Sequence, residues 1–239
     1  MDRLAYLRAL GITPWHLRAS QPVSADPPVE PAEPAEIVDS MAYQPVQTSD
    51  LQSIDLTALR HHVSQCQACE LHQTRKHTVF GEGHHKVDWL IIGEAPGADE
   101  DREGQPFVGP AGQLLTQMLR AIGLAREEVF ITNILKCRPP NNRDPKVAEI
   151  HACHAYLDRQ IQLLEPKIII CLGRVAAQAL LQSELAIGKM RGQIYHLGRQ
   201  QNIPTVVTYH PAYLLRSPRE KRKVWEDLKL ARAHLLSLA

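Results

Sequence analysis

The chain has no long apolar run. Nothing in its 239 residues approaches the ~20 consecutive apolar positions a membrane-spanning helix needs, although 44% of the residues are hydrophobic. A soluble protein with no membrane partner is therefore expected. The N-terminal stretch MDRLAYLRALGITPWHLR has neither the apolar core of a signal peptide nor a small-residue cleavage site, so a cytoplasmic location is expected rather than secretion. Charge of one sign is missing as well. A formal net charge of +1 excludes the broadly basic surface of a protein that coats nucleic acid. The densest local exception, RSPREKRK at 216–223, suits either phosphate contacts or a solvated helix start. Phenylalanine is scarce, with three in the chain, which gives weight to one placed in a polar loop. Cysteines number five, and because disulfides are disfavoured in the cytosol, metal binding is the first reading for them. No internal repeat is visible.

Residues 1–19 form a short amphipathic segment in which Leu4, Leu7, Leu10 and Ile12 alternate with Arg3 and Arg8, and Gly11 stands where a helix would end. Residues 20–53 are a polar tract with five prolines between positions 22 and 34. Such a composition cannot bury enough surface to fold and reads as an extended tether. The globular domain is expected over 54–239. Within it, apolar strands at 87–93, 129–134, 167–173 and 205–210 alternate with helices expected at 56–66, 111–123, 145–164, 173–181 and 219–236. Strands that are apolar on both faces and separated by helices imply a parallel sheet covered on both sides, an α/β/α arrangement.

The stretch 89–115 is the centre of this pattern. A buried strand runs into Gly93, an acidic loop crosses its end, and a helix starts near Gly112. In open α/β sheets ligands settle beyond the carboxyl ends of the strands, so this loop should floor a pocket. A phosphate-cradling reading of GEAPG fails because no Lys-Ser/Thr pair follows it. Cys66 and Cys69 form a C-x2-C pair near a helix end, Cys137 follows the second strand and Cys153 lies on the long helix. Thiolates so spread are not a compact zinc ribbon, but four of them suit zinc or an iron–sulfur cluster. Cys171, inside IIICLG, reads as a small buried hydrophobe.

GEAPGADEDREGQPFVGPAGQLL, TNILKCRPPNNRDP and TYHPAYLLR, together with those four cysteines, resemble the family 4 uracil-DNA glycosylases, the iron–sulfur branch of that superfamily. The likeness runs from about residue 63 to residue 228. It implies a three-layer α/β/α fold around a four-stranded parallel sheet, a [4Fe-4S] cluster on Cys66, Cys69, Cys137 and Cys153, and removal of uracil from DNA by a monomer. A non-catalytic iron–sulfur protein on the same scaffold, binding DNA or assisting a polymerase, is the competing reading. The joint presence of Glu94, Phe107, Asn133 and His210 speaks against it.

Cleaving the glycosidic bond of deoxyuridine builds positive charge on the sugar and negative charge on the departing base. On the resemblance, Phe107 stacks on the extruded ring. Asn133 matches uracil O4 and N3–H and leaves cytosine mispaired. His210 donates to O2, and Glu94 with the backbone of Gly93 and Ala95 lines the loop beneath the base. Ala95 stands where the best-known branch carries a water-handling aspartate. Asn142 and Glu94, ahead of Glu100, are therefore the candidates to position water. Tyr213 or Leu214 would wedge into the gap left by the base, with Arg216 and Lys221 on phosphates.

At the N-terminus, YLRALGITPWHLR resembles the N-terminal peptide of the psi subunit of the bacterial DNA polymerase III clamp loader. This implies a bacterial source and docking on the loader through residues 4–18, with Trp15 and Leu17 as anchors. A helix folded back on the catalytic domain fits the same residues.

Overall fold

The computed structural model describes residues 51–198 and 202–238. The expected docking segment 1–19 and nearly all of the expected tether 20–53 lie outside the described residues. Leu51, a little before the expected domain start, is already buried.

Five strands make one sheet in the order β2-β1-β3-β5-β4. They are β1 (Trp89–Gly93), β2 (Val129–Asn133), β3 (Ile168–Leu172), β4 (Ile194–Leu197) and β5 (Ile203–Thr208). The pairs β1/β2, β1/β3 and β3/β5 are parallel, as the apolar runs require. The fourth expected parallel strand is β5. Beside it lies a strand the pattern did not announce, β4, which pairs antiparallel at the sheet edge. The expected four-stranded parallel sheet is thus corrected to a five-stranded, mostly parallel one. The reason is local: Ile194–Leu197 is short and only partly buried, so it lacks the continuous apolar run that marks a central strand.

Residues alternate across the sheet and each face has its own core. Leu90, Ile92, Phe130, Ile169, Cys171 and Val207 pack with α1 (Leu56–Ser64), α4 (Val147–Leu164) and α5 (Arg174–Leu181). Ile91, Val129, Ile131, Ile168, Ile170 and Val206 pack with α3 (Pro110–Ala121), α7 (Pro211–Arg216) and α8 (Lys221–Ser237). Two smaller helices complete the set: α2 (Ala98–Glu103) and α6 (Ile187–Met190). The three layers are those expected. No helix among the described residues is long and apolar enough to cross a membrane.

Helix ends follow local chemistry. Asp55 caps α1 by accepting from Ala58 N at 2.7 Å. α4 begins at Val147, because Glu149 turns back to accept from Lys146 N at 2.8 Å. The acidic run of the long loop is not a solvated strip: it forms α2, and Asp101 is buried, accepting from Lys76 N at 2.9 Å.

Candidate active site

Chain order β1, β2, then β3 on the other side of β1 makes the carboxyl ends of these strands a topological switch point. A cavity of about 420 Å³ lies there, lined among others by Glu94, Ala95, Phe107, Asn133, Asn142, His210, Tyr213 and Arg216. Residues separated by more than a hundred positions meet because β1, β2 and β5 all point their ends into it. The exit of β2 is stitched to that of β1, with Ile134 N donating to Gly93 O at 2.9 Å and Leu135 N to Glu94 O at 3.0 Å.

Two glycines are fixed by close approach. A Cβ on Gly93 would stand 2.4 Å from Asn133 Oδ1 and 2.6 Å from Phe107 Cζ, so only glycine leaves the amide and the ring in place. On Gly112 it would stand 1.6 Å from Phe107 O. Helix α3 therefore starts against the carbonyl of Phe107, whose own backbone is left-handed at φ 54. That conformation turns a buried ring, 6% exposed, onto Gly93 and next to the imidazole of His210, with ring centroids 5.5 Å apart.

Asn133 is 1% exposed, and its Oδ1 is buried with no hydrogen-bond partner. A buried, unpaired amide oxygen costs free energy unless something brings it a donor. His210 lies just past β5 and caps α7: Ala212 N donates to its Nδ1 at 3.2 Å. The ring proton is thereby placed on Nε2. Burial, helped by the cation of Arg216, pushes the imidazole down to about 4, so the ring is neutral near pH 7.

The water-positioning candidates separate clearly. Glu100 also lines the cavity, with its carboxylate already engaged: its Oε2 accepts from Gly97 N at 3.0 Å, and its Oε1 accepts from Val108 N and Gly109 N at 3.0 and 3.2 Å. That carboxylate staples the loop carrying Phe107. Glu94 is half-buried, and no hydrogen bond engages its carboxylate among the described residues. Burial raises its pKa, Asp144 adds to this and Arg174 opposes it. Asn142 follows Asn141 in a second left-handed position, a conformation asparagine tolerates, and its Oδ1 accepts from Arg138 Nε at 2.7 Å. Its amide nitrogen is left to donate.

Leu214 is also corrected. It is 0% exposed and belongs to the core beneath α7, because a six-residue helix lying on the sheet must turn one face inward. Tyr213 and Leu215 are the exposed apolar side chains there, 37% and 46%, and Arg216 and Lys221 are exposed beside them.

Cys66, Cys69, Cys137 and Cys153 line a second, smaller cavity with Arg75, Lys136 and Tyr156. All are free thiols, as is the buried Cys171 in β3. Among the described residues no three of His, Cys, Asp and Glu are grouped as ligands of one ion. Each sulfur nevertheless faces an N–H group. Ala68 N donates to Cys66 at 3.5 Å and Arg75 Nη1 to Cys137 at 3.1 Å, while the backbone N–H groups of Leu71 and Lys136 are directed at Cys69 and Cys153. Neither Arg75 nor Lys136 was singled out in the sequence. A lysine between apolar residues at a strand exit, NILKC, was the one available sign.

The comparisons agree with this geometry. Residues 80–229 match the Uracil DNA glycosylase superfamily. Curated relatives include the type-4 uracil-DNA glycosylase of Archaeoglobus fulgidus, 44% identical over 70% of this chain and 86% of that protein. Those of Saccharolobus solfataricus and Thermotoga maritima are 46% and 44% identical over 78% and 72% of this chain, and 88% and 91% of theirs. The type-5 enzyme of Thermus thermophilus is 34% identical over only 43% of this chain and 53% of its own. With its sheet, its pocket and most of its length matched in this way, the chain belongs to the uracil DNA glycosylase superfamily.

Proposed function

We propose that the chain hydrolyses the N-glycosidic bond of deoxyuridine in DNA, leaving an abasic site, in the manner its type-4 relatives are named for. The observation that carries this reading is the orphaned Oδ1 of Asn133 in a cavity walled by Phe107 and His210. Uracil N3–H is the donor that oxygen lacks, and the amide nitrogen can donate to O4. Cytosine offers an acceptor at N3 and would leave the oxygen unpaired, which makes the amide a selector and not merely a binder.

The everted base stacks on Phe107. As the bond to the sugar breaks, negative charge moves onto the base, and His210 meets it at O2 with Nε2–H. A neutral imidazole suits this task because its fixed donor stabilises the anion without giving up a proton at the start. Glu94 faces the opposite charge. Its unengaged carboxylate offsets the cationic sugar and accepts a hydrogen bond from the attacking water, while the Asn142 amide nitrogen holds that water in place. Tyr213 and Leu215 occupy the opening left in the duplex, and Arg216 and Lys221 contact phosphates.

The four cysteines fit an iron–sulfur cluster of the [4Fe-4S] kind: four sulfurs around one cavity, each with an N–H donor, is the environment thiolate clusters need. Such a group would supply a rigid cross-link with no part in the hydrolysis. It would tie the turn at Cys66 and Cys69 and helix α4 to the segment that runs from Cys137 to Asn142.

Gel detection of abasic sites in a uracil-containing oligonucleotide tests the reaction. Wild type should cleave, and His210→Ala should be slower by about 10²–10³-fold. Equal rates for the two proteins would remove the assignment.

A further inference from the structure

Among the described residues Lys136 is the only buried lysine or arginine, 1% exposed, and it differs from the buried carboxylates in what it meets. Glu149 has Arg143, Asp227 has Arg191, and Asp101 has backbone N–H groups. Lys136 has no carboxylate. Its Nζ donates to Thr132 Oγ1 and to Asn133 O, both at 2.7 Å, and the ionisable groups that line the cavity with it are the four cysteine thiols, Arg75 and Tyr156. A buried ammonium that meets only neutral oxygens is a poor arrangement unless anionic charge stands close by. Four thiolates around a cluster would supply that charge, and Lys136 lines the cavity they share.

The other end of the contact reaches the uracil pocket. Asn133 makes no hydrogen bond through its side chain, so its amide is aimed by its backbone, and Lys136 holds that backbone at the carbonyl. Thr132 Oγ1, the second acceptor, itself donates to Phe80 O at 2.8 Å, which anchors the ammonium in a buried polar network. We propose that Lys136 is the positioning residue that couples the cysteine site to base recognition. Its ammonium is the counter-ion of the cysteine-bound cluster and at the same time fixes the strand end from which Asn133 meets uracil. This rests on the iron–sulfur reading above.

The test compares Lys136→Met, which removes the charge and keeps the bulk, with Lys136→Arg, which keeps the charge, in holoprotein of the full chain. Four quantities are read: the cluster's midpoint potential, its bleaching rate under oxidant and chelator, and KM and kcat on uracil-containing DNA. Losing a neighbouring cation favours the oxidised cluster, so the methionine variant should have a lower potential and bleach faster. Its KM should rise by about tenfold, with kcat moving less. The arginine variant should recover the potential. A wild-type potential and bleaching rate in Lys136→Met overturns the proposal, and so does a KM that stays put while the potential moves.

If the methionine variant does not fold, lysine-selective carbon NMR on wild type decides. In the one-electron-reduced protein, whose cluster is paramagnetic, the Lys136 signal next to nitrogen should be broadened and displaced, and a full set of lysine signals unchanged on reduction overturns the proposal. Iron and sulfide analysis separates the two readings. Wild type without iron defeats the cluster reading and this inference together, whereas iron-replete wild type with indifferent variants defeats only the latter.

Discussion

The uracil pocket and the cysteine cavity share one stretch of chain, 133–142, yet they treat polar groups in opposite ways. In the pocket Asn133 keeps a buried acceptor without a donor, Glu94 keeps a carboxylate unengaged by hydrogen bonds, and His210 presents Nε2–H to the cavity. In the cysteine cavity each sulfur already faces an N–H group. A site that must take up and release its ligand is left unsatisfied in the resting protein. On the iron–sulfur reading, a site that holds its group through folding is provided with donors in advance.

That contrast can be broken most forcefully at the cysteines. Cys153→Ser should lose its iron and melt earlier. A cross-link between α4 and the Cys137 segment compares with a disulfide worth about 2–4 kcal/mol, which corresponds to roughly 5–15 °C in a domain of this size. Iron analysis and a melting curve check it, and an unchanged melting temperature would mean that the cavity is not a permanent tie. Phe107→Ala tests the transient site. Removing the stacking surface should slow uracil release by about 10–100-fold in single-turnover assays while iron content stays at the wild-type level.

A smaller effect sharpens the edge of the pocket. Leu215→Ala should lower activity on duplex a few-fold more than on single-stranded substrate, with melting unchanged. Leu214→Ala, a core truncation, should instead cost about 2–5 kcal/mol of stability. Equal losses on both substrates for Leu215→Ala would take the wedge role away from Leu215 and leave it to Tyr213.

The smallest effect expected is an absence. His210 is depressed from 6.5 to about 4, so kcat/KM should pass through pH 6.5 without a histidine titration. The stability linked to the neutral ring is present above 6.5 and is lost as pH falls toward 4, because the folded state resists the proton that the unfolded chain accepts. Melting curves of wild type and His210→Ala over that range measure it. A loss of activity on the acid side should follow Glu94, whose carboxyl protonates above its ordinary 4.5, and should change in Glu94→Gln.

Much of this was visible in one dimension. β1, β2 and β3 are runs of apolar residues that no other element would use, and Asn133 and His210 could be placed at strand ends because the run of hydrophobic residues stops there. Phe107 was conspicuous through its rarity. Leu214 was misread, and the engagement of Glu100 was hidden, for the same reason: a leucine after a histidine and a carboxylate in a loop look available in sequence. Whether their atoms are taken depends on neighbours folded over them, here the backbone at Val108 and Gly109 and the core under α7. β4 was missed because a short edge strand buries too little to leave a pattern.

The amino-acid sequence by itself determined the layered α/β/α fold, the order of its parallel strands along the chain and the residue types that line the pocket, since burial periodicity and hydrogen-bonding capacity are properties of side chains. Tertiary structure alone decided which polar atoms remain unpaired, which carboxylate is committed to backbone donors, and that Lys136 lines the cysteine cavity while its Nζ donates to the strand end at Asn133 O. Those outcomes depend on distances between segments far apart in the chain, and only packing sets them.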